Sequence, residues 1–114
     1  MPEFEFEGHR YQNPVELALH VIGGKWEMPI LWRLRQRVWR YNELRRDLKR
    51  VTHKMLTQQL RELERHGLIT RTVHPVVAPR VDYALTALGR SALPAIDVLR
   101  TWGESYRKRA ARML

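Results

Sequence analysis

Residues 52–65 read THKMLTQQLRELER, and this stretch decides the fold. Thr52 is a good helix N-cap, because its hydroxyl can accept from the free N–H groups of the first turn. Met55, Leu56, Leu60 and Leu63 recur at helical spacing and define an apolar face expected to point inward. Lys54, Thr57, Gln58, Arg61 and Arg65 fall on the opposite face. Gly67 stops the helix. An ordinary amphipathic helix with a solvated outer side has the same pattern, so its surroundings must decide between the two readings.

Upstream, Tyr41–Leu48 reads as a short helix, broken from the next by Lys49-Arg50-Val51. Downstream, Leu68–Val73 and Arg80–Leu85 have strand character. The segment between them, HPVVAP, carries two prolines, which forbid a continuous strand and favour a hairpin tip. A short helix, a tight turn, a longer helix and a hairpin is the order of a winged helix-turn-helix. The fold class expected is therefore mainly α with a small β-hairpin.

The flanks complete the arrangement. Glu3, Glu5 and Glu7 alternate with Phe4 and Phe6, so residues 1–12 form an arm, either a docked strand or a loose tail. Asn13-Pro14 starts a helix that carries Val15, Leu17, Ala18, Val21 and Ile22 and ends at Gly23-Gly24. A second helix spans about residues 26–35, with Met28, Ile30, Leu31 and Leu34 inward and Pro29 in its first turn. Thr86 caps a long last helix bearing Leu88, Leu93, Ile96, Leu99 and Trp102, in which Pro94 predicts a kink or break.

Charge points to a polyanion. The 114 residues carry 21 Lys and Arg against 12 Asp and Glu, a net +9. Residues 33–80 alone hold 13 basic and 4 acidic side chains, which equals the whole excess. On the outer face of the 52–65 helix, Gln58 suits adenine, Arg61 and Lys54 suit guanine, and Thr57 can meet a base or a thymine methyl. Thr52 and His53 sit at the end that enters a groove first. Arg40, Arg45, Arg46, Lys49 and Arg50 precede that helix and suit phosphates. Arg80 and His74 flank the hairpin tip, where a wing can lie along DNA, and Arg71 could add a phosphate contact.

Other chemistry finds little support. There are no cysteines, which removes disulfides, thiolate metal sites and thiol nucleophiles. No stretch approaches the roughly 18–20 apolar residues that span a bilayer, and the acidic start is unlike a signal peptide. A cytoplasmic, nucleoid-associated protein with no membrane partner is expected. The five histidines, His9, His20, His53, His66 and His74, show no HExxH or helical ligand pair, so no metal is expected. Ser91 and Ser105 lack a nucleophile elbow, and no Gly-rich phosphate loop occurs, so neither an enzyme nor a cofactor is expected. Trp26, Trp32, Trp39, Trp102, Tyr11, Tyr106 and Phe4 could line a pocket for an unknown small-molecule effector, although packing is the simpler reading.

Together these residues resemble the HxlR-type family of bacterial winged-helix transcriptional regulators. The resemblance covers about residues 13–103 and rests on PVE at 14–16, IGGKW at 22–26, RYNEL at 40–44, LTQQLREL at 56–63, GLI at 67–69, PRVDYALT at 79–86, Gly89 and Trp102-Gly103. It implies a homodimer, joined mainly through its terminal helices, on a roughly palindromic operator in double-stranded DNA. Residues 1–12 would be the arm, 13–103 the winged helix-turn-helix domain and 104–114 the end of the dimerisation helix with a basic tail. Repression is the simplest mechanism. Many members carry a cysteine just before the Pro-Val-Glu segment, where this chain has Asn13. Two alternatives stay open: a sequence-neutral nucleic-acid binder, and a winged helix that meets an acidic protein.

Overall fold

The computed structural model describes residues 3–78 and 80–113; Pro79, the second proline of the expected hairpin tip, lies outside them. The chain runs β1 (Phe4–Phe6), β2 (His9–Tyr11), α1 (Pro14–Ile22), α2 (Glu27–Leu34), β3 (Trp39–Arg40), α3 (Tyr41–Leu48), α4 (His53–Arg65), β4 (Ile69–His74), β5 (Arg80–Leu85), α5 (Ala87–Ser91) and α6 (Leu93–Met113). No helix among the described residues is long and apolar enough to cross a membrane.

Local chemistry accounts for the boundaries. The Asn13 side chain accepts from the Val15 N–H at 2.8 Å and starts α1. Thr52 does the same for α4, accepting from the Met55 N–H at 3.1 Å. At its other end α4 closes in a Schellman motif. The Leu68 N–H donates to the Leu63 carbonyl and the Gly67 N–H to that of Glu64, both at 3.0 Å. Gly67 adopts φ +80°, which a side chain would make costly. Thr86 caps α5 through the Gly89 N–H at 3.0 Å. A Cβ at Gly89 would fall 2.1 Å from the Leu68 carbonyl oxygen, so α5 packs directly on the start of β4.

The core is one cluster. Ile30, Leu31, Leu34, Leu44, Leu56, Leu60, Leu63 and Ile96 are fully buried, drawing on α2, α3, α4 and α6. Each such side chain contributes about 1.5–3 kcal/mol by leaving water. The antiparallel wing sheet has the order β3-β5-β4, with His74 opposite Arg80 across the hairpin and Trp39 opposite Tyr83 on the other edge.

Several expectations need correction. Met55 does not face the core; it is 41% exposed. It sits about 100° around the helix from Leu56, and the Leu56-Leu60-Leu63 stripe alone fills the interface. Leu88, Leu99 and Trp102 are likewise exposed, so the last helical region buries little beyond Ile96. The break expected near Pro94 divides the C-terminal region into two helices. The break falls at Ala92, before Pro94, which thereby occupies the first turn of α6, where its missing N–H costs little. Strand β3 is an addition, since two residues are too few for an alternation signal. The arm is a docked hairpin: Phe4 stacks on Tyr11 at 5.7 Å, and Phe6 lies 5.6 Å from His20.

Glu27 is the one buried charged side chain of the described core, 3% exposed. Its Oε1 accepts from the Gly24 N–H at 2.6 Å, while its Oε2 has no partner. Burial raises its pKa above the ordinary 4.5, outweighing the Gly24 hydrogen bond. The ionised form is thus disfavoured in the native state, and this group costs stability as pH rises from the unfolded pKa through the folded one. Glu27→Gln keeps an acceptor for Gly24 and removes the charge. Urea unfolding should show the variant gaining stability relative to the parent as pH rises above the ordinary carboxylate range. A difference that does not change with pH would contradict this account.

Candidate nucleic-acid interface

Helices α3 and α4 meet at a very tight turn. Lys49 has φ 66° and ψ −79°, and the Arg50 N–H donates to the Leu48 carbonyl at 2.9 Å. This is a γ-turn with positive φ at its centre, a rare and strained form. A non-glycine residue held there costs on the order of 1–3 kcal/mol. The turn leaves Lys49 and Arg50 exposed, and Val51, just beyond, anchors in the core.

A cleft of about 910 Å³ opens between α3, α4 and the wing. Its basic lining is Arg40, Arg46, His53, Arg61, Arg71 and Arg80, set against Glu43 and Glu64. Thr57 and Tyr41 form part of its floor. The Tyr41 hydroxyl bonds the Nδ1 of His53 and lies 3.4 Å from the Thr57 hydroxyl, which ties the start of α3 to the first turns of α4. A second, shallower hollow is lined by Asn42, Arg45, Arg46 and Lys49.

The residues expected from sequence therefore divide. Arg40, Arg46, His53, Thr57, Arg61 and Arg80 share one cleft. Lys54 and Gln58 are exposed on α4, and Arg50 on the turn, outside both hollows. Thr52 is exposed, but its oxygen is already engaged as the α4 cap. Arg65, expected on the outer stripe, pairs with Glu7 of the arm at 3.2 Å.

Sequence reasoning missed three features. Asp82 stands between two basic side chains of the wing, with His74 Nε2 at 2.9 Å and Arg80 Nε at 3.5 Å. Tyr41 carried no signal of its tie to His53. Part of the positive charge is also spent elsewhere. Arg33 pairs with Asp47 at 2.5 Å, Arg35 lies over Trp32 at 4.0 Å, and Arg37 over Trp39 at 3.9 Å. Arg37 and the Arg40 N–H also both donate to Glu43, and the Arg40 bond is the main cause that holds the Glu43 carboxyl below its ordinary pKa. The aromatic residues do not converge: Trp39 is in the core, while Trp102 is exposed and stacks on Tyr106 at 5.3 Å.

Comparison with known proteins agrees with this geometry. The HxlR-like helix-turn-helix family matches residues 21–111. An HTH-type transcriptional regulator of Methanothermobacter thermautotrophicus is 46% identical over 96 residues, covering 84% of this chain and 73% of its own. YdeP of Bacillus subtilis, another HTH-type transcriptional regulator, is 44% identical over 109 residues, covering 96% and 82%. Among solved structures, the redox regulator HypR in its reduced form superposes with a TM-score of 0.82 at 42% identity, covering 88% of this chain and 99% of that one. The HTH-type transcriptional regulator YtcD gives 0.80 at 45% identity, covering 85% and 99%. This chain belongs to the HxlR-like helix-turn-helix family and is a DNA-binding transcriptional regulator with a winged-helix fold.

Proposed function

We propose that this regulator acts as a homodimer and represses transcription by occupying a roughly palindromic operator. The observation that carries the reading is the convergence of Arg40, Arg46, His53, Thr57, Arg61 and Arg80 on one cleft beside the exposed side of α4. In this reading α4 enters the major groove. Lys54, Thr57, Gln58 and Arg61 meet base edges, with Thr52 and His53 at the leading end. Arg40, Arg46, Lys49 and Arg50 hold phosphates and set the docking angle, and Arg80 follows the backbone from the wing. Asp82 limits Arg80, since a phosphate there must share the guanidinium with a carboxylate.

The dimer is supported by unpartnered apolar surface. Val98, Leu99, Trp102 and Tyr106 are exposed along α6, and Val15 and Leu19 along α1. Exposed apolar side chains of this kind on the terminal helices favour a second subunit over water. The chain lacks cysteine, and Asn13 uses its side chain to cap α1, so a thiol switch is closed to it.

Three measurements test the proposal. Binding-site selection followed by titration should show Gln58→Ala losing about 1–3 kcal/mol on the selected operator while non-specific binding holds nearly steady. Equal losses on both would remove Gln58 from base reading. Lys49→Gly should relieve the γ-turn and raise stability by about 1 kcal/mol, while lowering the salt slope of DNA binding by about one; an unchanged slope would take Lys49 out of the phosphate set. Trp102→Glu should leave the monomer fold intact, because the ring is exposed, yet shift sedimentation at micromolar concentration from dimer to monomer. A variant that still sediments as the parent would refute the α6 interface.

A further inference from the structure

Three titratable side chains far apart in sequence meet behind the recognition helix. Glu7 lies in the turn of the arm hairpin between β1 and β2, His20 in the last turn of α1, and His66 at the C-cap of α4. One ligand atom from each lies within 4.8 Å of the other two. His20 Nε2 is 3.8 Å from Glu7 Oε2, and His66 Nε2 is in direct contact with Glu7 Oε1. We propose that Glu7, His20 and His66 form a binding site for a divalent transition-metal ion of the zinc class.

The donor set selects the metal. Two imidazoles and a carboxylate suit Zn²⁺, with one position left for water, whereas Ca²⁺ and Mg²⁺ want oxygen ligands. Zinc bonds of about 2.0–2.1 Å place tetrahedral ligand atoms about 3.3 Å apart, so the present spacing closes onto an ion through small side-chain rotations. The site is also braced. Tyr11, which is buried, bonds His20 Nδ1 through its hydroxyl. That bond fixes the ring and leaves Nε2 turned toward Glu7, the arrangement that a metal-bound histidine needs from its outer partner. The Phe6 ring lies 5.6 Å from His20 and 5.7 Å from His66 and shields the pair. The His66 side chain is only 5% exposed. Glu7 sits at φ 49°, a left-handed conformation that the hairpin turn imposes.

The Glu7 carboxylate also meets the Arg65 guanidinium at 3.2 Å, which an ion would compete with. Metal binding would pin the arm, α1 and the end of α4 to one point. The sequence alone gives no sign of this, because residues 7, 20 and 66 share no motif spacing.

The test uses the full chain without a polyhistidine tag, stripped with a chelator. Zn²⁺ titrated against a chromophoric competitor should bind with a stoichiometry of one per chain and raise the thermal midpoint by several degrees. Co²⁺ should give the intense visible absorption of a tetrahedral site. Glu7→Gln, His20→Gln and His66→Ala should each weaken zinc at least 10-fold, while His74→Ala, outside the cluster, should not. Glu7→Gln and His20→Gln lie near the surface, and circular dichroism at matched temperature shows whether each variant has folded. Zinc affinity unchanged in folded variants, or weaker than millimolar in the parent, would overturn the site. Neither result depends on the DNA-binding reading above.

Discussion

Burial of Leu56, Leu60 and Leu63 sets everything else in this molecule. These three side chains fix the rotation of α4 about its own axis, because no other face of that helix can meet the core without stranding charge. Once they are inside, Lys54, Gln58 and Arg61 must be outside. The presentation of the surface proposed to read DNA is thus a by-product of hydrophobic packing, and no contact among the polar residues is needed to orient it.

Charge is organised more selectively than its total implies. The same central stretch that carries the net excess spends Arg33 on Asp47 and lays Arg35 and Arg37 on tryptophan faces, where they brace α2 and the start of the wing sheet. Arg40, Arg46, Arg61 and Arg80 gather where α3, α4 and β5 converge. One of the two positive-φ non-glycine residues among those described, Lys49, lies beside this region. A chain that tolerates Lys49 at positive φ keeps a cation at the apex of its turn when glycine would be easier.

Much of this was legible in the residues. The bounds of α3 and α4 follow from Thr52, Gly67 and the break at Lys49, because caps and stops are local chemistry. The two long strands of the wing follow from alternation around a proline-bearing tip. What escaped depends on contacts between distant segments. Met55 looked apolar enough to be core, yet the width of the packed stripe excluded it. Asp82 reads as an ordinary strand residue until the hairpin register brings His74 and Arg80 to it. Six of the expected DNA-contacting residues share one cleft, but the pairing of Arg65 with Glu7 required knowing where the arm docks.

Strand β5 joins the two halves of the nucleic-acid face. It pairs with β4 on one edge and with β3 on the other, and β3 runs without a linker into α3. The hairpin and the helix pair are therefore jaws of a single caliper whose opening is set by a hydrogen-bonded ladder. On the docking proposed above, a duplex that meets both α4 and the wing has to fit their relative placement, and a stretch whose groove is too wide or too narrow must bear the bending energy itself. Base steps that touch no side chain would then still be sorted, by their stiffness.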